Sequence, residues 1–303
     1  MKRIIVISAI LLAGILFSIN VYTQDSGLDD LFKRLERPVG QKSKTVKPVK
    51  PSAVRTEQDK LDNPADKSVI HIEKKTTSAV TVEKIPGMVY IPPGEFLMGI
   101  NDGFDYEFPR HQVYLEGYYI DKYEVTNVQY KRFIISTEHK PPPHWKGINY
   151  PQGQDYSPVT NISYYEAAEY AEWSGKRLPT EQEWEKAARY TDGRIYPWGD
   201  EWNKKYANVK PLIGFGEPKP VGSYIEGMSP FGVYDMSGNV WEWTDGWFQL
   251  YPGNVNKNPN YGEIYKVIRG GSYRQSETMA QVPRRDFMEP RTKRIDVGFR
   301  CAK

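Results

Sequence analysis

A chain with 25 glycines and 23 prolines in 303 residues, accompanied by 22 tyrosines and 8 tryptophans, cannot be assembled from long helices. Glycine and proline cut the backbone into turns, and large rings supply the buried area that holds such loops in place. The expectation is modest regular structure pinned by aromatic side chains. Hydrophobic residues make up 39% of the chain, enough for a real core. The 41 basic and 38 acidic side chains leave a formal charge of +3, too weak a field to draw the molecule to nucleic acid. The single cysteine, Cys301, excludes an internal disulfide, a redox pair and a thiolate-rich zinc site.

Lys2 and Arg3 precede an apolar run from Ile4 through Phe17, which turns polar at Thr23-Gln24-Asp25. This is the pattern of an export signal. The run falls slightly short of the ~20 residues a spanning helix needs, and no clean small-x-small cleavage site follows. Residues 1–26 therefore read as a signal peptide or an N-terminal membrane anchor, and the expected location is the periplasm or cell envelope. Residues 27–83 are rich in Lys, Asp, Ser, Thr and Pro and have little apolar periodicity, apart from a short helix expected over Leu28 to Leu35. Such a segment cannot bury enough surface to offset its ordering entropy, so it reads as a disordered charged linker.

Apolar density returns around Ile85, and residues 84–303 read as one folded domain. Met88 to Gly99 contains two short strands around Pro92-Pro93-Gly94, and Val113 to Tyr119 alternates as a further strand. Thr126 or Asn127 can cap a helix. Ser163-Tyr164-Tyr165-Glu166 and Thr180-Glu181-Gln182-Glu183 are capping boxes, in which hydroxyl and carboxylate satisfy the free amides of a first helical turn. The first of these helices should stop near Gly175, and the second should present Trp184, Ala187 and Ala188 on one face. In Asp235-Met236-Ser237-Gly238-Asn239-Val240-Trp241-Glu242-Trp243 two carboxylates bracket a tight glycine turn. The residues alone allow an oxygen cage for a hard cation such as Ca2+, or a surface turn with an acidic rim.

Eight segments in order resemble the formylglycine-generating enzyme (sulfatase-modifying factor) family. They are Met88 to Gly99, Asp121 to Asn127, Pro158 to Ser163, Gly175 to Glu185, Tyr196 to Gly199, Gly238 to Trp243, Arg269-Gly270-Gly271-Ser272-Tyr273 and Gly298-Phe299-Arg300-Cys301. The resemblance implies an α+β, loop-rich fold of the C-type-lectin-like kind with bound calcium. One calcium would be held by the side chains of Asp235 and Glu242 and the carbonyls of Gly238 and Val240. A second would use Asn208, the Val209 carbonyl, an acidic residue and a carbonyl near Phe215, but Ile213 stands at the acidic position.

Family oxidases bind copper through two cysteines, and counting from Ser272-Tyr273 puts those positions at Gln275 and Ala280. Neither can present a thiolate, so copper-thiol oxidase chemistry is not expected. Trp241 and Ser272 match residues that line the family's pocket, and Cys301 reads as a small buried hydrophobe. Two functions follow. One is a binding or assembly module of the cell envelope, holding a protein, peptide or glycan on the face from Gln275 to Arg294, where Arg284, Arg285, Arg291, Lys293 and Arg294 cluster. The other is an enzyme with non-thiol chemistry, using Asp286, Glu289 or Glu277 as acid or base.

Overall fold

The computed structural model describes residues 83–303 apart from 212, 214 and 215. The expected signal or anchor, nearly all of the expected linker and the short helix expected at Leu28 lie outside the described residues. β1 (Met88–Ile91) is stopped by Pro92-Pro93 and followed by β2 (Gly94–Met98); β3 (His111–Leu115) and β4 (Tyr118–Asp121) come next. β1 pairs antiparallel with β4, Met88 opposite Asp121, and β2 pairs antiparallel with β3, Gly94 opposite Leu115. The single strand expected from Val113 to Tyr119 is thus two strands serving different sheets. Glu116-Gly117 makes the break, and a β-carbon at Gly117 would overlap the Tyr90 hydroxyl.

Three helices follow, α1 (Asn127–Thr137), α2 (Tyr164–Trp173) and α3 (Glu181–Arg189), capped by Thr126, Ser163 and Thr180, each in a complete capping box. Each cap is worth about 1 kcal/mol to its helix. Gly175, at φ +70, turns the chain away just beyond α2. Rings lock α1 and α2 to the C-terminal segment: Tyr130 stacks on Tyr170 at 5.7 Å, and Tyr170 meets Phe299 edge-on at 5.3 Å. The buried apolar residues of α3, Trp184, Ala187 and Ala188, pack with Ile91, Ile120 and Val233.

The last sheet runs β7 (Arg285–Met288), β6 (Lys266–Arg269), β5 (Trp241–Trp247) and β8 (Val297–Gly298), with β5 and β8 parallel and the other pairs antiparallel. Across it lies a dense ionic network. Glu185 of α3 is fully buried; its Oε1 accepts from Gly99 N and Arg189 Nη1, both at 2.8 Å, and its Oε2 accepts from Arg269 Nη2. One turn earlier, Glu181 takes Arg285 Nε and Nη2 at 2.6 and 2.8 Å. Burial works against ionisation of Glu185, yet Arg269 and Arg189 hold its carboxyl below the ordinary value. No described helix is long and apolar enough to cross a membrane.

Candidate functional site

Between β4 and β5 the chain must bring Asp235 to Glu242 inward, and positive backbone angles allow it: φ is +59 at Asp235, +83 at Gly238 and +60 at Asn239. At Gly238 a β-carbon would collide with the Asn208 carbonyl, so glycine is required there. Both carboxylates end up buried rather than on an acidic rim. Glu242 sits opposite Arg269 on one side and Gly298 on the other. Its Oε2 accepts from Arg300 Nε at 2.7 Å and Trp184 Nε1 at 2.9 Å, while Oε1 accepts from Arg300 Nη2 at 2.7 Å. Asp235 Oδ2 accepts from Gly222 N at 2.6 Å.

A third carboxylate, Glu124, enters the same buried space from the segment after β4. Its Oε1 accepts from Asn239 Nδ2 at 2.9 Å. Its Oε2 meets no donor, and the Glu124 and Asp235 carboxyls are close enough to share a hydrogen bond, which requires a proton on one of the two. Burial, then the nearby Asp235 and Glu242, push the Glu124 carboxyl well above its ordinary range. Burial raises Asp235 to about 6 despite the Gly222 amide and the Arg300 guanidinium. Three carboxylates therefore face one guanidinium, leaving a surplus of negative charge that a divalent cation would neutralise. In charge and oxygen chemistry the residues fit calcium, with Asp235, Glu242 and the Gly238 and Val240 carbonyls as the donors implied by the resemblance. No three of the described His, Cys, Asp and Glu residues form a metal-binding group by themselves.

The second implied site is less complete. Asn208 donates its amide to the Glu217 carbonyl and to Asn239 Oδ1, at 2.9 and 3.0 Å, and lines a cleft of about 620 Å3 together with Val209. Ile213 is 91% exposed and offers no side-chain oxygen where the family places an acid.

The residues matching the family's pocket, Trp241, Ser272 and Ala280, are fully buried, and Gln275 is half-buried. Ser272 Oγ donates to Asp296 Oδ2 at 2.8 Å, and Trp241 Nε1 has no partner. Ala280 O accepts from Ser237 Oγ at 2.7 Å, and Gln275 O accepts from Lys210 N at 2.8 Å. Asp296, which sequence reasoning missed, also takes Arg294 Nε at 3.0 Å; burial opposes its ionisation, but Arg294 and Ser272 hold it below the ordinary carboxylate value. Burial raises Asp286, whose Oδ2 lies 3.9 Å from Arg294 Nη1. Glu289 accepts from Arg291 N at 3.0 Å and Thr292 Oγ1 at 3.2 Å, closing a local turn.

The cations from Arg284 to Arg294 are engaged within the chain. Arg284 pairs with Glu107 at 2.5 Å, Arg285 with Glu181, Lys293 with Glu166 at 2.6 Å and Arg294 with Asp296, while Arg291 lies over the Tyr165 ring at 5.2 Å. What looks like a basic patch in sequence is a set of tethers. Cys301 is buried, and burial followed by the neighbouring Asp121 raises its thiol well above the ordinary value, which suits an inert core residue.

Residues 73–303 match the model of the sulfatase-modifying factor enzyme 1-like domain, and the chain belongs to that family. Among relatives, the chain is 30% identical over 274 residues to the mouse inactive C-alpha-formylglycine-generating enzyme 2, covering 72% of this chain and 85% of that one. It is 32% identical over 239 residues to the serine/threonine-protein kinase pkn1 of Chlamydia caviae, covering 71% of this chain but only 38% of the kinase. The chain thus spans well under half of that relative's length. The solved structure of PvdO from Pseudomonas aeruginosa superposes with a TM-score of 0.57 at 26% identity, covering 71% of this chain and 93% of PvdO. The fold expected from the sequence, α+β with few regular elements and long loops, is the fold observed.

Proposed function

We propose that this protein is an exported, calcium-stabilised binding or assembly module of the cell envelope that lacks the copper-thiol reaction of the family's oxidases. The observation that carries this reading is the occupancy of the two thiol positions by Gln275 and Ala280. An amide and a methyl cannot supply the soft sulfur donors copper(I) needs, and Cys301 is sequestered elsewhere in the core. The burial of Trp241, Ser272 and Ala280 supports the same reading, because their side chains present no open surface to a substrate. A relative whose name includes the word inactive shares 30% identity over most of both chains, so loss of the family's oxidase activity has a parallel.

Calcium, held by Asp235, Glu242 and the Gly238 and Val240 carbonyls, would neutralise the surplus charge and add its binding free energy to folding. Export rests on the basic start and apolar run of residues 1–26, which end in either cleavage or membrane anchoring. The test is direct: incubate the purified domain with copper, oxygen and a cysteine-containing peptide, and assay for aldehyde. None should form; aldehyde at a catalytic rate would overturn the proposal.

A second reading, an enzyme of the same family with non-thiol chemistry, draws on Asp286, a half-buried carboxylate raised by burial beside the Ser272–Asp296–Arg294 chain. It would gain ground if the protein consumed a small molecule from an envelope extract and Asp286→Asn stopped that consumption without lowering the melting temperature.

A further inference from the structure

The cleft of about 620 Å3 lined by Asn208 and Val209, the residues of the second implied calcium site, is built from irregular chain. Its lining sets Lys204, Lys210 and Lys219 against Glu217 and Glu277, an excess of one positive charge. Lys219 is committed to Glu217 at 2.8 Å. Lys204 and Lys210 are exposed and make no ion pair among the described residues. On a protein where the cations from Arg284 to Arg294 are tethered internally, two free ammonium groups on one cleft point to an anionic ligand.

The cleft also has a rigid aromatic wall. Trp202 belongs to a cluster in which Tyr196 stacks on Trp198 at 5.1 Å with a 5° angle between the rings, and Trp202 lies 5.3 Å from Tyr196 and 5.9 Å from Trp198. Tyr224 contributes a second ring to the lining. The floor is polar and fixed: Asn208 is locked to Glu217 and Asn239. Flat apolar faces, amines and a fixed amide suit a ring that is apolar on one face and carries hydroxyls and a carboxylate at its edge. The segments that form the cleft contribute no strand edge, so an extended peptide could not add to a sheet there.

Resting on the binding-module reading above, we propose that this cleft binds an acidic glycan, with Lys204 and Lys210 meeting sugar carboxylates and Trp202 packing on a sugar face. Its volume accommodates roughly two or three sugar rings. The experiment is titration of the full chain with an oligogalacturonate trimer, followed by tryptophan fluorescence and calorimetry, beside the neutral galactose trimer and triglutamate. The uronate should bind, the neutral sugar and the peptide should not, and affinity should fall as salt is raised. Lys204→Gln combined with Lys210→Gln should weaken uronate binding about tenfold or more while the melting curve stays in place; Trp202→Ala should weaken it independently. Equal binding of neutral and acidic sugars, preference for triglutamate, an unaffected double lysine variant, or binding of none of the three would overturn the assignment. None of these results touches the thiol argument, which the aldehyde assay decides separately.

Discussion

Two buried charge clusters lie on either side of Trp184, and they are built to opposite rules. On one side Glu181 and Glu185 meet Arg189, Arg269 and Arg285, and both carboxylates are bonded by arginine. On the other, Glu124, Asp235 and Glu242 share the single guanidinium of Arg300. Trp184 touches both: its indole N–H donates to Glu242 at 2.9 Å, and the Arg269 guanidinium lies 5.4 Å from its ring centre. A cluster in which every carboxylate is bonded by arginine can be buried permanently and used to tie α3 to the sheet. A cluster with surplus negative charge must acquire either protons or a cation, so only the second has a reason to respond to its surroundings.

The largest effect should come from breaking the fully paired side. Glu185→Gln leaves Arg189 and Arg269 buried without their counter-charge and should cost about 3–5 kcal/mol in urea unfolding. A loss under about 1 kcal/mol would mean the two guanidinium groups find other partners.

Next is pH, where the two sides should differ in sign. In chelator, Asp235 has a folded value of about 6 against an ordinary 3.8, so its contribution is fully present below the unfolded value and is lost as pH rises through about 6. That is at most about 3 kcal/mol. Glu185, held below its ordinary value, contributes above the unfolded value and loses that contribution as the pH falls through the folded one. Unfolding curves of the wild type and of Asp235→Asn from pH 4 to 7 in chelator separate the two; a wild-type slope unchanged by Asp235→Asn would remove Asp235 as the source.

A smaller effect of opposite direction is expected at Glu124. Glu124→Gln keeps the shape, replaces a carboxyl whose charged form burial opposes, and should stabilise the calcium-free protein by about 1 kcal/mol, where the same change at Glu185 destabilises. Destabilisation at both positions would dissolve the distinction. Smallest is Arg291→Ala, which removes an exposed cation from the Tyr165 ring and should cost about 0.5 kcal/mol by the same unfolding assay.

What could be read along the chain was what neighbours determine. Ser163 with Glu166 and Thr180 with Glu183 announce helix starts because the partners are three residues apart. The glycine turn at Gly238 and the carboxylates flanking it are similarly local. The partner of Glu242 is not, because Arg300 lies 58 residues away on the closing segment. Glu124, 115 residues from Asn239, gave no sequence signal of joining the site, and Asp296 gave none of holding Ser272. The run from Arg284 to Arg294 misled for the same reason: Glu107, Glu181 and Glu166, which neutralise three of its cations, are 177, 104 and 127 residues distant. Local sequence reports the presence of charge, while pairing is decided by register and loop closure across the whole domain. The break at Gly117 depends likewise on a ring arriving from β1.

The surplus charge beside Asp235 is the feature on which the calcium proposal stands, and thermal unfolding at neutral pH in calcium and in chelator tests it most directly. Calcium should raise the wild-type midpoint by about 5 °C or more and leave Asp235→Asn unmoved. Superimposed wild-type curves in the two buffers would contradict it.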